Sequence, residues 1–326
     1  MRYIKKYRKI LTLVFVIICY IMLYYVSKDN FDKLKEIDRN ALDVNFVLLG
    51  ATVFLVMPNW FLEAVKWRIS LTPIEKILLK TSVKGVLKGI LPSVITPNRI
   101  GEAVGRPTVL KEKNKISGAF ATAYCGLSQM PVMIFCAAAA CVYFGYPVYV
   151  SVTAFAAALI TALCYQFPEY LIPFLRKKSR HKKFLEKLSF FCSYRHKEKL
   201  RLIFFSFLRY LVYSSQNCLA IIGFGVNADF IDGLMSVFLI YALMSFVPRP
   251  ALLELGVRCS ATVFVLSRYT SDFSAPTVSS VFIWCVNLLI PAVLGTFFYF
   301  FQKKTKKTLK KNFVDLKNVS TFASLK

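Results

Sequence analysis

The sequence predicts an all-α polytopic integral membrane protein with about six full spans and two broken or re-entrant helix pairs. The first observation is compositional: 56% of the 326 residues are hydrophobic, only 18% are charged, and the mean hydropathy is +0.53. Soluble domains average about a quarter charged residues and less than half apolar residues. The second observation is that the 43 Lys and Arg residues cluster in short runs between apolar blocks. That pattern is typical of loops that face anionic cytoplasmic lipid.

The composition also excludes several classes of protein. The formal net charge is +26, but no groove-reading motif accompanies it, so we expect no nucleic-acid partner. The nine cysteines include no CxxC pair, and both histidines, His181 and His196, lie in one basic loop, which is not the spacing of a metal site. Motifs of the HExxH, GxSxG and P-loop types do not occur. The sequence therefore predicts no cofactor, no metal and no catalytic domain.

The elements of the first half follow from the apolar blocks, since a helix needs about 20 apolar residues to cross the hydrocarbon core. Residues 10–26 follow a basic N-terminal run and predict an uncleaved first span, and residues 42–65 predict the second. Lysines, glycines and prolines interrupt the apolar sequence of residues 77–115, so this segment is a poor lipid-facing span. It predicts a broken pair of helices, because irregular backbone at membrane depth must be shielded by protein or line a wet cavity. Residues 116–144 predict an outward span with a kink at Pro131.

The second half follows the same order. Residues 148–172 predict an inward span, and residues 176–201, with eleven Lys and Arg against two Glu, indicate a cytoplasmic loop. Residues 202–222 predict an outward span. Residues 231–268 repeat the broken pattern, and residues 275–301 predict the last inward span.

This order of elements is the outline of an inverted-topology repeat. We predict a transmembrane domain over residues 1–302, with repeats at 1–145 and 148–302, and a basic cytoplasmic tail at 303–326. Both termini are then cytoplasmic, and we predict a multi-pass protein of the plasma (inner) membrane.

Two charged motifs in the broken pairs are the main site candidates. Each has Glu-x-x-x-Arg spacing with a Gly between, an upstream Pro and surplus arginine. Charges inside apolar segments cost roughly 2.5–3.5 kcal/mol each on insertion scales, and arginine beside free amides suits phosphate or carboxylate. The predicted substrate-binding residues are Arg99, Glu102, Arg106, Arg249, Glu254 and Arg258. The alternative is that both motifs are ordinary i,i+4 pairs that neutralise a buried helix end.

Other polar residues and the tryptophans have simpler interpretations. Glu63, Lys66 and Arg68 are secondary site candidates, with interfacial anchoring as the alternative. Three amides are expected to form hydrogen bonds between helices: Gln129, Gln216 and Asn217. The three tryptophans are predicted to lie mostly in interface belts: Trp60, Trp67 and Trp284.

Three of these segments resemble a known family. They are residues 59–68 (Asn-Trp-Phe-Leu-Glu-Ala-Val-Lys-Trp-Arg), residues 96–102 (Thr-Pro-Asn-Arg-Ile-Gly-Glu) and residues 254–258 (Glu-Leu-Gly-Val-Arg). They resemble the flippase-like transmembrane region family of lysylphosphatidylglycerol synthase, and the resemblance covers residues 42–301. It implies a membrane domain that moves a lipid or a lipid-linked group between leaflets, with membrane phospholipids and their anionic headgroups as partners.

The resemblance carries over to the first motif more fully than to the second. Arg99, Glu102 and Arg106 match the first family motif. The second is commonly of a Pro-Gly-Gly-Leu-Gly type followed by Glu, whereas residues 248–256 read Pro-Arg-Pro-Ala-Leu-Leu-Glu-Leu-Gly. Glu254 matches and the paired glycines do not, which leaves the lipid substrate open. Full-length synthases also have a C-terminal cytoplasmic transferase domain. We expect this chain to lack it, because about 25 residues follow the last predicted span.

The preferred functional prediction is a flippase-like protein, not an enzyme, with a central cavity between the two broken pairs. One alternative is a membrane-embedded enzyme or accessory subunit that acts on phospholipid or isoprenoid-linked substrates beside a separate transferase. Glu63 and Glu102 are then the acid/base candidates. Another alternative is a transporter for a water-soluble anion, which needs a coupling-ion site, and the sequence offers no intramembrane acidic cluster for one.

Overall fold

The computed structural model describes residues 43–96, 100–178, 188–246 and 254–291. Every regular element in these ranges is helical, as the sequence predicts. The predicted first span at residues 10–26, the tail at residues 303–326, and the candidates Arg99 and Arg249 lie outside the described residues.

The described helices are numbered in chain order. They are α1 (Phe46–Phe54), α2 (Val56–Ser70), α3 (Leu79–Ile95), α4 (Gly101–Gly105), α5 (Lys115–Leu127), α6 (Gln129–Tyr143), α7 (Val148–Gln166), α8 (Pro168–Lys178), α9 (His196–Gly223), α10 (Phe230–Phe246), α11 (Glu254–Leu266) and α12 (Ser274–Trp284). Short 3-10 turns occupy Arg106–Val109, Glu112–Asn114 and Ser189–Ser193, and a π turn follows α12 at Cys285–Leu289.

Three helical stretches of the described chain are long and apolar enough to cross a membrane: Phe46–Ser70, Glu112–Tyr143 and Val148–Gln166. They coincide, within a few residues at each end, with the predicted spans at 42–65, 116–144 and 148–172. Two shorter apolar helical stretches, Phe230–Ser245 and Ser274–Leu288, follow later in the chain. The total number of spans stays a prediction.

Two of these stretches are each interrupted shortly before a proline. Helix α1 ends at Phe54, four residues before Pro58, and α5 ends at Leu127, four residues before Pro131. A proline has no N–H for the carbonyl four residues earlier, and its ring clashes with that carbonyl. One residue separates each helix from the next, and the kink at Pro131 stays a prediction. The first of these stretches does not end at residue 65, as the sequence predicted, but continues to Ser70.

Helices α3 and α4 form a tight hairpin that glycine makes possible. A Cβ atom at Gly101 would lie 2.1 Å from the carbonyl oxygen of Pro92, and one at Gly105 would lie 2.5 Å from that of Lys88. The two backbones are therefore in direct contact, with no room between them for a ligand. This hairpin occupies the position of the first predicted broken pair.

Helices α10 and α11 occupy the position of the second broken pair, and the two pairs meet in the core. Ile90 of α3 packs in one cluster with Leu255 of α11 and Trp284 of α12. Helix α4 has 5 residues and α11 has 13, so the pairs differ in shape, and the inverted repeat stays a prediction.

Trp67 and Trp284 are both buried within the protein. The prediction that they lie in interface belts is therefore wrong.

The α1–α2 stretch runs antiparallel to α9. At one end, Asn45 N–H donates to the Gly223 carbonyl at 2.8 Å. At the other end, the hydroxyl of Tyr194, just before α9, donates to the Ser70 carbonyl at 2.6 Å. At 1.5 Å per residue, the 28 residues of α9 extend about 42 Å. This alignment brings the middle of α9, where Arg209 lies, against the middle of α2.

Candidate functional site

A polar cavity of about 210 Å³ lies among α2, α6, α9, α10, α11 and the π turn. Its lining residues are Asn59, Trp60, Gln129, Met133, Arg209, Tyr210, Tyr213, Tyr241, Glu254, Arg258 and Asn287. Two arginines, one carboxylate, three tyrosines and several amides thus surround one cavity between apolar helices. A lining of this composition can bind a polar or charged group and exclude bulk hydrocarbon.

Arg258 is held in this cavity by tyrosines. Its Nη1 donates to the Tyr241 hydroxyl at 2.5 Å and to the Tyr213 hydroxyl at 3.4 Å. Its Nη2 lies 3.6 Å from Oε1 of Glu254, one helical turn away on α11. The guanidinium also lies over the Tyr241 ring, 5.4 Å from its centroid, which favours a cation. The second sequence motif therefore faces the cavity, and its Glu and Arg are paired there.

Arg209 of α9 lines the other part of the cavity. Its Nε donates to Oδ1 of Asn59 at 3.1 Å, and its Nη1 lies 3.1 Å from Oε2 of Glu63. The amide of Asn59 in turn donates to Oδ1 of Asn287 at 3.1 Å, and the Asn287 amide donates to Oε1 of Gln216 at 3.1 Å. This chain of hydrogen bonds joins α2, α9 and the π turn.

Glu63 is the centre of a buried cluster beside the cavity. Its Oε1 lies 2.7 Å from Nη1 of Arg106, and its Oε2 lies 3.5 Å from Nζ of Lys66, in addition to the contact with Arg209. Arg106 also pairs with Glu102 one turn earlier in the chain. The Arg106 side chain lies across Gly89, where a Cβ atom would be 2.6 Å from its Cγ. The first sequence motif is therefore packed into the protein and tied to α2 through Glu63.

The two groups of charges, taken together, carry surplus positive charge. In the described chain they comprise four cations, Lys66, Arg106, Arg209 and Arg258, and three carboxylates, Glu63, Glu102 and Glu254. Buried charges are stable when they are paired. The surplus therefore favours an anion in the cavity, which Arg209 of one group and Arg258 of the other both line.

Three buried donors of the cavity residues have no hydrogen-bond partner in the described structure. They are Nε1 of Trp60, the hydroxyl of Tyr210 and Nε of Arg258. Leaving a buried donor unsatisfied costs about 1–3 kcal/mol, so such groups are expected to find a partner. An anionic or hydrogen-bond-accepting ligand in the cavity supplies acceptors of the required kind.

The predicted site residues occupy different positions. Glu254 and Arg258 line the cavity, whereas Glu102 and Arg106 lie outside its lining, in the buried cluster. Of the secondary candidates, Glu63 and Lys66 belong to that cluster, with the Lys66 side chain only 1% exposed, while Arg68 is exposed. The cavity does not lie between the two broken pairs as expected. Ile90 of α3 packs against Leu255 of α11 there, and the cavity is instead lined by α2, α6, α9 and the second pair.

The site residues that sequence reasoning missed include Arg209, Asn59 and Asn287, as well as the tyrosines around Arg258. Arg209 is the one arginine within the predicted span at 202–222, and an intramembrane charge is a site candidate by itself. That signal was therefore available. The expectation for the amides is confirmed: Gln216 donates to the Thr52 carbonyl at 2.9 Å, Gln129 accepts from Nζ of Lys66 at 3.4 Å, and Asn217 accepts from the Tyr241 hydroxyl at 3.0 Å.

Comparison with known proteins agrees with this architecture. No curated protein and no solved structure matches the chain significantly. The profile of one family, described as "Lysylphosphatidylglycerol synthase TM region", matches residues 10–295 of the 326. With its apolar helices and its polar cavity, this membrane protein therefore belongs to the family of lysylphosphatidylglycerol synthase transmembrane regions.

Proposed function

We propose that this protein is a flippase-like lipid translocase that moves an anionic or aminoacylated phospholipid, or a lipid-linked group, between membrane leaflets. The observation that carries the proposal is the cavity in which Arg209 and Arg258 lie among tyrosines and amides. Guanidinium groups bind phosphate oxygens through paired hydrogen bonds. Membership in a family named for a lipid synthase supports a lipid as the substrate.

The size of the cavity favours a headgroup over a whole lipid. Ligand pockets for drug-sized molecules measure about 300–1,000 Å³, and this cavity measures about 210 Å³. A phosphate with a small substituent fits such a volume, while the acyl chains stay in the surrounding hydrocarbon. Glu254, beside the two arginines, is placed to accept hydrogen bonds from an amino group on an aminoacylated headgroup.

The proposal includes the cellular setting. The basic segments predict cytoplasmic termini and a plasma (inner) membrane location, so the headgroup would enter from, or leave to, the cytoplasmic leaflet. A role beside a separately encoded transferase remains the second candidate. Its two acid/base candidates are held in ion pairs, Glu63 with three cations and Glu102 with Arg106, which favours translocation over catalysis.

The test is lipid translocation in reconstituted proteoliposomes. Fluorescent phosphatidylglycerol and phosphatidylcholine are compared for the wild type, Arg209→Gln, Arg258→Gln and the control Arg268→Gln. Arg268 is exposed beyond the end of α11 and contacts Tyr146 and Phe144. We expect headgroup-dependent movement that both cavity substitutions abolish and the control keeps. Translocation that survives both substitutions contradicts the proposed site, and a folded protein that moves no lipid supports the accessory role.

A further inference from the structure

Arg209 belongs to both the cavity and the buried cluster. Three cations surround Glu63: Arg106, Lys66 and Arg209. Among the described residues, Arg209 is the one of the three that lines the cavity. Its side chain is 19% exposed, against 3% for Arg106 and 1% for Lys66. A ligand in the cavity can therefore reach Arg209 and not the other two.

The donors of Arg209 are shared among several acceptors. Its Nε and Nη1 face Asn59 and Glu63, and a guanidinium has five N–H donors in a planar fork. Arg258 approaches the same cavity from α11. A phosphate between the two arginines would accept charge-assisted hydrogen bonds from both.

Glu63 can release Arg209 without becoming an unpaired buried charge. It keeps Arg106 at 2.7 Å and Lys66 at 3.5 Å. Breaking a buried pair is costly mainly because the remaining charge is uncompensated, and here the remaining carboxylate still has two cations. Glu63 and an anionic ligand are therefore alternative acceptors for one guanidinium.

We propose that Arg209 exchanges between the Glu63 carboxylate and the phosphate of a headgroup in the cavity, so that Glu63 acts as an internal competitor that sets the affinity of the site. This inference rests on the proposed function and assigns a positioning role within the same site. It also links binding to helix packing, because Arg209 joins α9 to α2 through Glu63 and Asn59. A bound phosphate loosens that junction, and release of the phosphate restores it.

The experiment measures binding of dioctanoyl phosphatidylglycerol to the purified full chain in detergent by calorimetry. Glu63→Gln removes the competing charge, and we expect it to tighten the Kd about tenfold, the effect of one charge-assisted hydrogen bond. Glu112→Gln is the control, since it removes an exposed carboxylate that pairs with Lys115 outside the cavity and the buried cluster. We expect the control to change the Kd by less than about twofold.

Repeating the measurement in the Arg209→Gln variant distinguishes this exchange from a general electrostatic effect of the Glu63 charge. In Arg209→Gln protein, binding is weaker, and adding Glu63→Gln is expected to change nothing further. Tightening that persists in the Arg209→Gln background overturns the exchange, because the effect then does not pass through Arg209. Equal Kd values for wild type and Glu63→Gln overturn it too. Should Glu63→Gln fail to fold, Glu63→Asp keeps the charge but withdraws it from Arg209, and intermediate tightening is expected.

Inorganic phosphate distinguishes the source of the anion. We expect it to bind more weakly than phosphatidylglycerol, with the same ratio between Glu63→Gln and wild type. Equal affinity for inorganic phosphate and for the lipid contradicts the proposed lipid function and leaves the exchange intact. If neither phosphatidylglycerol nor inorganic phosphate binds to folded wild-type protein, both proposals are overturned.

Discussion

The Glu63 carboxylate joins two arginines that are distant in the chain: Oε1 lies 2.7 Å from Nη1 of Arg106, and Oε2 lies 3.1 Å from Nη1 of Arg209. Arg106 comes from the hairpin of α3 and α4, and Arg209 comes from the middle of α9. One carboxylate on α2 therefore ties the first sequence motif to the wall of the cavity.

Removing the Glu63 carboxylate is expected to destabilise the protein. Glu63→Ala removes the carboxylate that pairs with Lys66 and Arg209, while Arg106 keeps Glu102, and breaking a buried ion pair costs about 3–5 kcal/mol. The measurement is reversible unfolding in mixed micelles. The control is Glu112→Ala, whose side chain is 86% exposed and pairs with Lys115, and which should cost less than about 0.5 kcal/mol. Equal stability of the two variants contradicts the buried cluster.

The hairpin of α3 and α4 requires glycine at its contact. Gly105→Ala places a methyl group 2.5 Å from the Lys88 carbonyl oxygen and 2.7 Å from the Cα of Gly89, and overpacking of this kind costs about 1–3 kcal/mol. Gly256→Ala, in the other Glu-x-x-x-Arg motif, meets no atom of the described residues within 4 Å and, within helix α11, should leave stability unchanged or raise it slightly. Thermal unfolding of the two variants makes the comparison. Equal midpoints contradict the close approach of the backbones.

The Tyr241 hydroxyl is expected to matter for binding. Tyr241→Phe removes the acceptor that holds Nη1 of Arg258 at 2.5 Å and the donor to Asn217, so the guanidinium loses its fixed orientation. Hydrogen bonds to charged groups contribute about 1.5–3 kcal/mol, which corresponds to a loss of roughly tenfold or more in phosphatidylglycerol affinity. Tyr143→Phe, which removes an exposed hydrogen bond to Asp232, is the control. An unchanged Kd in Tyr241→Phe shows that the Tyr241 hydroxyl is not needed to orient Arg258 for binding.

A polar contact outside the spans predicts a pH dependence of stability. Partial burial raises the pKa of Glu169. Its hydrogen bond and ion pair with Lys199, at 2.9 Å, lower the pKa, and together with its other contacts they outweigh burial. The net result is a pKa below the ordinary value of 4.5. A group whose pKa is lowered on folding stabilises the protein above its unfolded pKa, and that contribution is lost as the pH falls through the lowered value.

Glu169→Gln should therefore reduce the unfolding temperature at neutral pH and lose its effect in acid, below the folded pKa. The measurement is the difference in melting temperature between wild type and variant from neutral pH down to about pH 3. A difference that stays constant over this range shows that the Lys199 contact does not depend on the charge of Glu169.

Much of the fold was predictable because it depends on local composition. The apolar stretches ending near Tyr143 and Gln166 are identified by hydropathy and length, and the helix breaks before Pro58 and Pro131 follow from the missing N–H of proline. The tryptophans were not predictable in this way. Trp67 is buried because Gly85 leaves space for its ring, with a hypothetical Cβ only 2.3 Å from it, and Thr122 accepts its N–H at 2.9 Å.

The candidate site was predictable only in part. Glu254 and Arg258 were identified as charges one helical turn apart in a broken apolar segment, and they line the cavity. Arg106 carries the same local signal, yet it lies outside the cavity lining and pairs with Glu63. Local spacing cannot distinguish these outcomes, because the partner of each arginine lies on another helix.

The sequence by itself determined that this protein lies in a membrane and that its elements are helical. It also determined which residues carry charges that must be compensated, because hydropathy and charge are properties of each segment alone. Only the tertiary structure decided which charges meet. The antiparallel packing of α2 on α9 places Glu63 between Arg106 and Arg209, and the packing of Ile90 against Leu255 joins the two broken pairs. Coulombic and hydrogen-bond energies depend on distances between helices, and those distances are set by packing over the whole fold.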